Sequence, residues 1–162
     1  MTRELNISKK NIKYLILLAV LFAGGVIVTS LSKADTKKAG QAAEENVAAL
    51  FKIDFDRPID EQLPPCTESG KVFWTGMLEQ IADIADSKQA EITGVEAEVN
   101  GKAKPYSGIG GEGQIVPVKL TVTTVDKNGE TLTDVSKVNV LMIEGENDQW
   151  LLDALAPDVP GG

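Results

Sequence analysis

Histidine does not occur in the 162 residues, and cysteine occurs once, at Cys66. The first absence excludes imidazole general bases, serine–histidine triads and histidine-bound metals. The second excludes an internal disulfide framework and any multi-cysteine zinc site. Positive charge is also in deficit. The formal charge is −8 and the isoelectric point about 4.6, so no direct nucleic-acid binding is expected. There is no collagen-like or low-complexity bias, and 43% apolar residues is enough to fold. A chain of this length suits one globular domain with a short appendage.

The strongest feature present is a charge-free run of 19 residues, Tyr14 to Ser32. As a helix, the only open form that satisfies its own backbone in lipid, it extends roughly 28 Å against a hydrocarbon layer of about 30 Å. Arg3, Lys9, Lys10 and Lys13 precede it with only Glu4 to oppose them. By the positive-inside rule, residues 1–13 are a cytoplasmic stub and the bulk of the chain is extracytoplasmic. Lys33, Lys37 and Lys38, just after the run, soften that bias. The expectation is a single-pass protein of the cell (inner) membrane. The alternative is a signal peptide cleaved after Ala34, since Ser32-Lys33-Ala34 has the small-x-small form of a cleavage site. The run is longer than the usual signal core of about 7–15 residues, which favours the anchor. Gly24-Gly25 and the pair Ala19/Ala23 would let two spans approach closely, or are ordinary small residues of a membrane helix.

Residues 33–162 carry 12 basic and 23 acidic side chains, so the negative excess lies outside the membrane. Such a domain is not drawn to anionic lipid by charge. Residues 33–52 read as a stalk helix, with Ala39, Ala42, Ala43, Val47, Leu50 and Phe51 at mostly three- and four-residue steps. Pro58, Pro64 and Pro65 make residues 52–70 an extended connection. A second helix is expected from Lys71 to Ser87, with Phe73, Trp74, Met77, Leu78, Ile81 and Ile84 as its stripe and Thr67 or Ser69 as its cap. The period then falls to two. Val95, Ala97 and Val99 mark one strand, Val116 to Val122 a second, and Val138, Val140 and Met142 a third, with Val135, Leu141 and Ile143 on its other face. Gln149 to Leu155, with Trp150, Leu152 and Ala154 aligned, closes the series. Residues 101–113 read as a glycine-rich connection, Asp126-Lys127-Asn128-Gly129 as a hairpin turn and Pro117 as a strand-end or edge residue. Helices followed by strands with tight turns give an α+β domain: two helices on a curved antiparallel sheet of about four strands. The domain proper is set at residues 53–156 and a frayed tail at 157–162.

Candidate chemistry is thin. Gly108 to Gly113 is rich in glycine, but a strand follows it and Glu112 would repel an anion, so it is no phosphate cradle. Asp54, Asp56, Asp60 and Glu61, and the later turn Glu144, Glu146, Asn147 and Asp148, lack the ligand spacing of a calcium loop. Cys66 has no companion base and reads as a half-buried structural thiol. Trp74, Tyr106 and Trp150 remain as candidate cavity-lining residues or core anchors. No catalytic residue, metal site or cofactor is expected, and the chain is not read as an enzyme.

The order of span, stalk helix, aromatic-Asp-Phe connection, aromatic helix and meander resembles the nuclear-transport-factor-like fold in its membrane-anchored form. More narrowly it resembles the small inner-membrane subunit of type IV secretion and conjugation machines. The matching residues are Ala48-Ala49-Leu50-Phe51-Lys52-Ile53-Asp54-Phe55, then Gly70 to Trp74, then the Val116–Val125 strand paired with Lys137–Ile143. The same outline is similar to the membrane proteins associated with mammalian-cell-entry lipid transporters, whose closing turn-Trp-Leu strand corresponds to Gln149 to Asp153. Either resemblance implies a noncatalytic scaffold that associates with other membrane subunits and with further copies of itself as a homo-oligomer. A small-ligand-binding cup is the third reading, because this fold often encloses an apolar cavity.

Overall fold

Small residues give the first helix, α1 (Thr36–Leu50), its buried stripe. Ala39, Gly40, Ala43, Val47 and Leu50 recur at helical spacing and are all buried. Gly40 is packed so closely that a Cβ there would stand 3.3 Å from the Val99 side chain. This helix is therefore part of the core, packed on the sheet through its small-residue stripe. The computed structural model describes residues 36–157. The expected stub (1–13), membrane run (14–32) and most of the tail (158–162) lie outside the described residues. Among the described residues, no helix is long and apolar enough to cross a membrane.

The second helix, α2, spans Glu68–Lys88 and starts three residues before the sequence expectation. Of the two capping candidates, Thr67 is the cap: its hydroxyl accepts from the Gly70 amide at 2.9 Å. Trp74 and Leu78 are fully buried and Phe73 stands edge-on to Trp74 at 5.0 Å between ring centres. In the intervening loop one side chain bridges several backbone groups. Gln62 accepts from the Asp54 amide at 2.9 Å and donates to the carbonyls of Asp54 (2.8 Å) and Pro58 (3.1 Å).

The sheet has five antiparallel strands: β1 (Glu91–Val99), β2 (Lys104–Gly108), β3 (Gly111–Val125), β4 (Thr131–Glu144) and β5 (Trp150–Ala156). Their order is β1-β3-β4-β5, and β2 pairs with the beginning of β3 on the edge that β1 occupies further along. The expected count of about four is corrected by residues 101–113, which form a hairpin and not a bare connection. Glycine is depleted in strands, and that depletion hid the hairpin in the sequence. Here Gly110 and Gly111 turn with φ of 103° and 124°, and the Tyr106 ring lies over Gly108, where a Cβ would meet it at 2.8 Å.

Three further details differ from the alternating pattern. Register shifts lie between Ile92 and Gly94 in β1 and, in the β4–β5 ladder, between Val140 and Met142. Each resets the alternation, so Ile92 joins the face of Val95 and Ala97, and Leu155 turns inward where Ala154 was expected. Pro117 sits inside a central strand, opposite Asn139. It is tolerated because its other side faces the break between β1 and β2, where its carbonyl accepts from Asn100 at 2.8 Å and no amide is required. The Asp126–Gly129 hairpin takes positive φ at Gly129 only (76°), whereas Asn147 and Asp148, at 56° and 59°, carry the paired left-handed conformation of a type I′ turn. The Val116–Val125 strand does pair with β4, but its partners run from Val140 to Thr131.

Both helices share one core with one face of the sheet: Ala43, Val47, Leu50, Trp74, Leu78, Val116, Val118, Val140, Trp150 and Leu152. On the opposite face, Tyr106, Ile115, Leu141, Ile143 and Ala156 form a smaller buried cluster.

Candidate functional site

The core closes along the first half of α2 and opens along its second half. Trp74 and Leu78 are buried, but Ile81 and Ile84, one and two turns further on, are only half-buried. A pocket of about 100 Å³ lies between these isoleucines and the sheet. Its floor follows from strand register. Leu120 faces Ser136, Val122 faces Asp134 and Thr124 faces Leu132 across β3 and β4, and all six line the cavity. They share a face because residues two apart on a strand point the same way. Phe51 and Ile92 contribute to the wall, and Ala85 and Lys88 continue the α2 side. The lining is almost wholly carbon.

Asp134 breaks that apolar surface. Its Oδ2 is buried and has no hydrogen-bond partner among the described residues. A carboxylate oxygen withdrawn from water without a donor is costly, which makes it the exceptional group of the site. Lys88 is the only cationic side chain in the lining, and no ion pair joins it to Asp134. The arrangement can enclose a small apolar body beside the Asp134 carboxylate. Sequence reading passed over Asp134. The signal was its parity: Asp134 and Ser136 continue the inward series of Val138, Val140 and Met142.

The three residues singled out by sequence do not meet in this pocket. Trp74 and Trp150 are 2% and 5% exposed, stand in the shared core and line none of it. Tyr106 is on the opposite face of the sheet, where its hydroxyl donates to the Ile109 carbonyl at 3.2 Å. Burial pushes its phenol above the usual range, with a smaller contribution from Asp153.

Two other polar features are structural. Gln114 is fully buried on the helix-facing side of β3, and neither of its amide atoms has a partner among the described residues. It lies six residues from Leu120, roughly 20 Å along the strand, and so is separate from the pocket. At the start of α2, Ser69 donates to Asp153 at 2.7 Å, Thr67 donates to the same oxygen, and the Thr67 amide bonds the Leu152 carbonyl at 3.1 Å. This clamp fastens α2 to β5. Cys66 beside it is buried, and burial pushes its thiol up to about 11, Lys71 opposing and Asp153 adding to the rise. A thiol of that acidity stays protonated at neutral pH and is a poor nucleophile. The chain matches no protein-family model and no curated protein.

Proposed function

We propose that this chain is a single-pass protein of the cell (inner) membrane whose extracytoplasmic domain has the nuclear-transport-factor-like outline. In this reading the domain is a noncatalytic interaction subunit of an envelope-spanning transport or secretion assembly, like the small inner-membrane subunit of type IV secretion machines. The accessory subunit of a mammalian-cell-entry-type lipid transporter is the alternative assembly. The observation that carries the reading is the junction between the charge-free run and the fold. Thr36 opens α1 only four residues after Ser32, a distance of at most about 14 Å for extended chain. Ala39, Gly40 and Ala43 are already buried in the domain. A domain with so little slack works against its own bilayer and meets partners anchored there. Those partners are other membrane subunits and further copies of this chain. The arrangement of two helices on an antiparallel sheet supports the fold outline. Crosslinking in native membranes tests the role: adducts with itself or with other membrane subunits are expected, and a monomer that captures nothing would contradict it.

The pocket favours a second reading, a ligand-binding cup. It does not depend on the assembly and is compatible with the tether.

A further inference from the structure

We infer that the pocket between α2 and the sheet takes a small organic cation, an alkylammonium or single-ring ammonium, with its apolar body against Ile81, Ile84 and Val122 and an N–H donating to the Asp134 carboxylate. This rests on the ligand-binding reading above and adds the chemistry of the ligand.

Three observations converge. First, Asp134 Oδ2 is buried and unpartnered while its cross-strand neighbour is Val122 and its inward neighbours along β4 are Leu132 and Ser136. A carboxylate half withdrawn from water without a donor is penalised, so a ligand that brings a donor to it offsets the penalty. Second, the acceptor is a carboxylate. Bonds between ionised partners are shorter and about twice as strong as neutral ones. The surrounding field has the same preference: residues 36–157 hold 21 acidic and 11 basic side chains, which raises the local concentration of cations. Third, about 100 Å³ is smaller than the cavity of roughly 150 Å³ that encloses benzene, so the body is a short alkyl chain or part of one ring. Lys88 lines the pocket without pairing with Asp134. It is a competing cation, and its removal should strengthen binding.

The test uses the full chain in phosphatidylcholine nanodiscs, with isoleucine methyl groups observed by NMR and n-butylammonium and n-butanol as probes. Saturable shifts at Ile81, Ile84 and Ile92 are expected, with the ammonium bound about tenfold more tightly than the alcohol. Asp134→Asn should bring both probes to the alcohol's affinity. Lys88→Gln should tighten the ammonium alone. Ala85→Leu, which fills the pocket, should block both, and it keeps the test decisive if the Asp134 variant does not fold. Equal affinity for the two probes would overturn the cation while leaving the pocket. No saturable shift with either would overturn the ligand-binding reading as well. Ammonium binding seen only with Lys88→Gln would mean that Lys88 is the natural partner of Asp134, and would also overturn the proposal.

Discussion

Two glycines in α2 should respond to the same substitution with opposite signs. Gly70 is in the first turn, pressed onto β5. An added Cβ would stand 2.8 Å from the Asp153 carbonyl oxygen and closer still to that of Leu152. Both obstacles are backbone, so the helix must retreat by several tenths of an ångström or more. That retreat strains the Thr67–Leu152 amide bond at 3.1 Å, the Leu152–Pro65 bond at 2.9 Å and the Ser69–Asp153 bond at 2.7 Å. At about 1 kcal/mol net for each bond, and against a helix-propensity gain of up to about 1 kcal/mol, Gly70→Ala should destabilise by about 1–3 kcal/mol. Gly76, six residues on in the same helix, has nothing within 4 Å of its Cβ position. There only propensity acts, and Gly76→Ala should stabilise by up to about 1 kcal/mol. Urea unfolding followed by the fluorescence of Trp74 and Trp150 measures both. If Gly70→Ala is neutral or stabilising, or both variants shift the same way, the close docking of α2 on β5 is wrong.

Other outcomes follow from the same geometry. Trp150→Ala should cost about 3–5 kcal/mol because the ring is 5% exposed in the shared core; little change in thermal midpoint would mean that the ring faces water or a partner. Cys66 should react with iodoacetamide at pH 8 about a hundredfold more slowly in the folded chain than in the unfolded one, since its thiol is raised from 9.0 to about 11. Because the unfolded thiol ionises first, the same shift removes stability as pH rises from about 9 to 11, a loss that Cys66→Ser should reduce, leaving the part due to the raised Tyr106 phenol. The Asp126 carboxyl is held below the usual range by the backbone amides of Glu130 and Asn128. Its stabilisation is present above the ordinary aspartate range and lost as pH falls through the folded value, so the gap in thermal midpoint between wild type and Asp126→Ala should close in acid.

Much of the fold was legible because it rests on periodicity. The α2 stripe at Trp74, Leu78 and Ile81, and the inward series Val116, Val118 and Leu120, can be read directly from spacing and parity. What escaped has local causes. The β2–β3 hairpin is built from glycines that propensity assigns to loops, and they are required by the Tyr106 ring over Gly108 and by the carbonyl of Met142 against Gly113. The bulges that turn Ile92 and Leu155 inward break the alternation that sequence reading depends on. The pocket was illegible for a different reason: parity could aim Asp134 inward, but the pocket is a gap left by helix and sheet together, and spacing along one strand does not show it. Trp74 and Trp150 are the most conspicuous residues in the sequence, and they are taken up by packing.

The central claim is that the charge-free run holds this domain at a bilayer. The intact mass of the chain in the alkali-washed membrane fraction tests it most directly. The account expects the chain there, with a mass that begins at or near Met1. Recovery of the intact chain from the soluble cytosolic fraction would contradict it.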